Sequence, residues 1–146
     1  MNVARIALAA VVATVVDAVF GFIVYGNLMA AEFARHPNVY RPMDTQLVYM
    51  LFLFGGIFVA MIGATVIYAK GYEGGSGVQE GFRYGLLVAL VPTGYAAIVS
   101  YSLTNIDRTL GLGLAAASYA EWVIAGVVIG LLYKPSASAA RRAAGA

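Results

Sequence analysis

Apolar and polar positions along the chain separate into long blocks. Residues 4–29, 46–70, 82–104 and 110–133 are predominantly apolar, and polar stretches at 27–45, 71–81 and 105–109 connect them. Each block reaches the roughly 20 residues that a helix needs to cross a bilayer. Lipid offers the backbone no hydrogen-bond partner, so an isolated apolar block of this length is read as a helix that satisfies itself. The pattern therefore predicts an all-α, integral membrane four-helix transmembrane bundle in one domain, residues 1–133. The tail, 134–146, has nothing large to bury and is expected to be flexible. Arg5 followed by an apolar run is how a secretory signal begins. The run continues past Asp17 to about Met29 without a convincing small-x-small cleavage site, so the first span is expected to be retained.

Basic residues orient the spans. Arg5, Lys70, Arg83, Lys134, Arg141 and Arg142 fall on one side, and Arg35, Arg41 and Arg108 on the other. This excess predicts both termini on the cytoplasmic side. Tyrosines flank the spans at both rims: Tyr68, Tyr72, Tyr84 and Tyr133 at the inner, Tyr25, Tyr40, Tyr49 and Tyr101 at the outer. Tyr95 and Tyr119 are left at depth.

Composition narrows the function classes. Hydrophobic residues make up 62% and charged residues 11%, against roughly 25% charged in a soluble domain. The formal charge of +2 is too slight to point to nucleic acid, so the lipid bilayer is the expected partner. With no cysteine, disulfide, thiolate and iron–sulfur chemistry are excluded.

Membrane helices associate through close backbone approach at small residues and through hydrogen bonds. Gly81, Gly85, Ala89, Thr93 and Ala97 recur every four residues on the third span; Gly56, Ala60 and Ala64 do so on the second. The fourth carries Gly113, Ala117, Glu121 and Ala125 on one stripe, with Gly126 and Gly130 on a neighbouring one. These stripes are expected to hold the bundle together, and Gly126 and Gly130 are also candidates for contact with a partner subunit in a homo-oligomer. Pro92 removes a backbone hydrogen bond and is expected to kink the third span, freeing the Val88 carbonyl.

Asp17 and Glu121 alone place carboxyl groups deep within spans, at a cost of ~2.5–3.5 kcal/mol for a residue such as Asp at the bilayer centre. Both stand ~18–20 Å from the inner basic rim by helical rise. Counted from Arg83, Tyr95 falls at the same level. A polar cluster of Asp17, Glu121 and Tyr95, with Thr14 and Thr93 beside it, is therefore expected. Two carboxyls that approach each other there can share and relay a proton. His36 has no second His or Cys to complete a metal site and reads as a solvated loop residue. Glu80 and Arg83 read as a local ion pair, and Asp107 and Arg108 as solvated loop charges. No metal site, cofactor site or catalytic residue is legible: residues 74–77 lack the setting of a phosphate loop, and the sole histidine lies too far from the bilayer core for a triad.

In layout the chain resembles a family of small bacterial four-helix membrane proteins of unassigned function. The likeness rests on Tyr25-Gly26 ending the first span, Glu80-Gly81 opening the third, Leu103-Thr104-Asn105 closing it, and Gly126 and Gly130 in the fourth. It implies a bacterial cytoplasmic (inner) membrane location and no activity. Plentiful packing faces and scarce chemistry predict a structural or accessory membrane protein, as a homo-oligomer or a subunit of a larger complex, and not an enzyme. The alternative is a small oligomeric transporter or channel using Asp17 and Glu121 for proton or cation coupling. An intramembrane enzyme using Asp17, Glu121 and Tyr95 is a third, thinner reading.

Overall fold

A computed structural model describes residues 1–42, 45 and 47–133. Every element among them is helical and no strand occurs. The helices are α1 (Val3–Leu28), the short α2 (Ala30–Ala34), α3 (Leu47–Lys70), α4 (Gly77–Leu103) and α5 (Arg108–Leu132). Four of them, α1, α3, α4 and α5, are long and apolar enough to cross a membrane. The tail 134–146 lies outside the described residues, as does Gln46, where the second span is expected to begin.

Local signals explain the helix ends. Asn2 accepts the Arg5 N–H and opens α1; Asp107 accepts the Leu110 N–H at 2.8 Å and opens α5, each satisfying a donor that a helix start leaves unpaired. Gly74, at φ 90°, makes the turn between α3 and α4 in a region that side-chain-bearing residues avoid. The third span starts at Gly77, five residues ahead of the expected Phe82, because the polar first turn Gln79-Glu80 is helical too.

Two helices carry π-helical stretches near their ends, Val24–Leu28 in α1 and Thr93–Val99 in α4. The second follows Pro92: regular helix runs to Val88, resumes for Leu90–Pro92 and then widens. The irregularity expected at this proline therefore takes the form of a π-helical segment. In α1 the Asn27 side-chain amide donates to the Phe22 carbonyl at 2.6 Å.

Packing pairs the chain into two hairpins, α1 with α3 and α4 with α5, joined where α1 meets α5. The α4–α5 contact is a glycine seam. Gly77 touches Gly130; a Cβ added at Gly81 would stand 2.5 Å from the Gly126 carbonyl oxygen, and one at Gly85 would stand 2.8 Å from that of Val123. Gly81, Gly85, Ala89 and Ala97 are buried along this stripe. Gly126 and Gly130 thus pack within the chain, against Gly77, Gly81 and Gly85, which takes them out of the alternative contact with a partner subunit: with no side chain between them, the two backbones close up on each other.

The neighbouring stripe of α5 faces α1. Gly113 lies beside Met29, Glu121 meets Tyr25, and Ala125 and Ile129 share a core with Ile6, Ala10 and Ala13. Helix α3 joins that core through Met61, Ala64 and Tyr68. Its first half stands apart: Leu51, Phe52, Leu53, Phe54 and Val59 are exposed, and a Cβ at Gly56 would meet nothing within 4 Å. Gly56 is therefore no packing residue within this chain, unlike Ala64 two turns on. Ala60 is half-buried between them.

Candidate functional site

The buried stripe of α1 runs Ile6, Ala10, Ala13, Asp17, so the carboxyl of Asp17 occupies a place where an apolar side chain would seal the contact. Asp17 is 7% exposed and makes no hydrogen bond among the described residues. Glu121 stands on α5, the helix that packs against α1. The Tyr25 hydroxyl donates to Glu121 Oε2 at 3.0 Å. Two acids and a phenol from the two hairpins thus lie on the facing helices α1 and α5, the phenol bonded to one of the acids.

Tyr25 reaches this position because long helical side chains point back toward the N-terminus. Its ring lies over Gly21, 3.7 Å from where a Cβ there would stand, and its edge contacts Phe20 with ring centroids 6.2 Å apart. Starting from the π-helical turn, the phenol spans back over a residue without a side chain to reach Glu121.

Tyr95, expected in the cluster, is 78% exposed and makes no hydrogen bond to either acid among the described residues. The glycine seam supplies the reason. Pairing 77 with 130, 81 with 126 and 85 with 123 places residue 95 close to residue 113, about eight residues or ~12 Å of helix from Glu121. Counting depth from Arg83 misplaced it, because Arg83 lies inside the helix rather than at its end. Thr93 is on the buried stripe of α4, and its Oγ1 is buried without a hydrogen-bond partner. By the same register it falls near residue 115 and belongs to the α4–α5 contact. Thr14 donates to the Ala10 carbonyl at 2.8 Å and so satisfies itself within α1.

Two further polar ties lie toward the ends of the bundle. At the end carrying the α3–α4 connection, Tyr68 makes edge contacts with Tyr72, Tyr84 and Tyr133 and donates to Glu80 Oε2 at 3.3 Å. The other oxygen of Glu80 accepts the backbone N–H groups of Glu73 and Gly75, so Glu80 holds the connecting loop instead of pairing with Arg83. Tyr84 donates to the Ala64 carbonyl at 2.6 Å. At the opposite end the His36 side chain is only 12% exposed and binds across to Asp107, which corrects its reading as a solvated residue. Asp107 also faces Arg35 at 3.5 Å, so it is not a merely solvated charge.

Asp107 lies outside the spans, and its carboxyl is held below the usual carboxylate range, first by the Leu110 N–H that it accepts and then by Arg35 and His36. Tyr40, in the same loop region, is pushed up by burial against the Phe33 ring, 4.8 Å away between centroids.

Sequence reasoning found both acids but missed Tyr25, which it placed at a rim. The one available signal was Gly21, four residues before a tyrosine on the acid-bearing face. Among the described residues no group of three or more His, Cys, Asp or Glu side chains is arranged to hold a metal ion. No family model, curated protein or solved structure matches the chain.

Proposed function

We propose that the chain is an integral membrane protein with both termini on the cytoplasmic side, and that Asp17, Tyr25 and Glu121 form a proton- or cation-holding centre between its two hairpins. The observation that carries this reading is the Tyr25–Glu121 hydrogen bond between α1 and α5, on the same helix contact that buries Asp17. Asp17, buried and without a hydrogen bond among the described residues, is on the helix that faces a glutamate already holding a phenol donor. A carboxyl held this way in lipid is uncharged or faces a cation, so the centre changes state by gaining or losing one. Because the acids stand on different hairpins, that change acts on the seam between them. A bacterial inner-membrane location fits the span lengths and the basic-residue bias.

The second reading is the structural or accessory role, as a homo-oligomer or a subunit of a larger membrane complex. The exposed first half of α3, with Gly55 and Gly56 both open, favours it. One set of measurements separates the two. Proteoliposomes loaded with a pH-sensitive dye should show a proton or cation leak that Asp17→Asn and Glu121→Gln each abolish. Flux that survives loss of both carboxyls sinks the centre as proposed. Absence of flux, together with altered assembly in those same variants, supports the accessory role. Since the chain has no native cysteine, single-cysteine labelling at Ser76 and Asn38 reads the orientation directly.

A further inference from the structure

His36 follows α2 in the loop that joins the two helices of the first hairpin, and Asp107 ends the loop that joins α4 to α5. The backbone N–H of Asp107 donates to His36 Nε2 at 3.2 Å. The other ring nitrogen, Nδ1, stands 3.0 Å from the Glu32 carbonyl oxygen. A carbonyl only accepts and a backbone N–H only donates, so both contacts require one tautomer: hydrogen on Nδ1, lone pair on Nε2. A protonated ring carries hydrogen on both nitrogens and cannot accept the amide. Asp107 Oδ2 lies 3.8 Å from the same Nε2, just beyond hydrogen-bond range and available once that nitrogen becomes a donor.

We propose that His36 is a pH-operated clasp between these two loops. Neutral, it accepts the Asp107 amide; protonated, it releases that amide and pairs with the Asp107 carboxylate. The charged groups facing the ring come from both loops. Arg35, beside it, opposes a positive ring; it also bonds Glu32 at 2.9 Å and so absorbs that carboxylate. Asp107, from across, favours the positive ring. Its other oxygen, Oδ1, remains on the Leu110 N–H, so the exchange leaves the start of α5 capped. The clasp borders a cavity of about 500 Å³ lined in part by Arg35, Asn38, Thr104 and Asn105, and its switching reshapes the mouth between the loops. The proposal does not depend on Asp17 or Glu121.

Hydrogen exchange at the Asp107 amide, in the full chain in lipid nanodiscs, tests it between pH 5 and 8, where histidines titrate. After correction for intrinsic exchange, protection should fall roughly fivefold on acidification, the factor that one ordinary hydrogen bond contributes. In His36→Gln the side-chain oxygen accepts the amide at every pH, so the fall should disappear. In Asp17→Asn it should persist. A ring ¹⁵N spectrum of the unaltered protein at pH 8 should show hydrogen on Nδ1, which checks the clasp even if the variant misfolds. Protection flat across this range, a fall that persists in His36→Gln, or hydrogen on Nε2 at pH 8 would overturn the proposal.

Discussion

Gly126→Ala is the sharpest perturbation of the fold. A Cβ at position 126 would stand 2.5 Å from Gly85 Cα and 2.7 Å from the Gly81 carbonyl oxygen, whereas non-bonded carbons rest at ~3.5–4.0 Å. Both obstacles are backbone, which no rotamer change can move aside. α4 and α5 must therefore separate by about 1 Å, and a gap of that size forfeits up to about half of each contact's dispersion energy along the seam. Overpacking of this kind costs ~1–3 kcal/mol. The helix-propensity gain of alanine offsets little, because a spanning helix stays formed in lipid whether or not it is packed. Gly56→Ala is the matched control: the same substitution, on a small-residue stripe that looks equivalent in sequence, where the new methyl meets nothing within 4 Å. Reversible unfolding in mixed micelles should show the loss for Gly126→Ala and a change within ~0.5 kcal/mol for Gly56→Ala, as for a surface site. Equal effects from the two variants would refute the assignment of Gly126 to a seam inside the chain.

Two more outcomes follow from the polar ties. Tyr25→Phe removes the hydroxyl that Glu121 accepts and should cost about 0.6 kcal/mol, and no more than about 1.7, the range measured for hydrogen bonds between membrane helices. Tyr95→Phe, on an exposed phenol, should cost nothing measurable in the same unfolding assay, and a loss equal to that of Tyr25→Phe would return Tyr95 to the cluster. The carboxyl of Asp107 titrates lower in the folded chain than in the unfolded one. Its stabilisation is therefore complete above the unfolded value of ~3.9 and is lost as pH falls through the folded value. Amide protection over the first turn of α5 should fall in that acid range in the unaltered chain but not in Asp107→Asn; an unchanged acid transition in that variant would show that another group is responsible.

The one-dimensional pattern determined the four helices long and apolar enough to cross a membrane, the two acids within them and the presence of small-residue stripes, because length, polarity and four-residue spacing are properties of each segment alone. It did not decide which stripe faces which helix. α1 and α3 are apolar almost all the way round, so lipid and protein faces read alike, and the absence of a water-facing side removes the signal that orients a helix in a soluble fold. Gly56 and Gly126 look equivalent in sequence, yet one meets open space and the other meets backbone. Register was equally hidden. Only the pairing of Gly77 with Gly130, Gly81 with Gly126 and Gly85 with Val123 puts Tyr95 level with residue 113 and not with Glu121, and only the lean of a side chain over Gly21 brings Tyr25 to it. His36 and Asp107, 71 residues apart, meet because two hairpins pack side by side. Such a contact depends on both elements at once, so tertiary structure alone decides it.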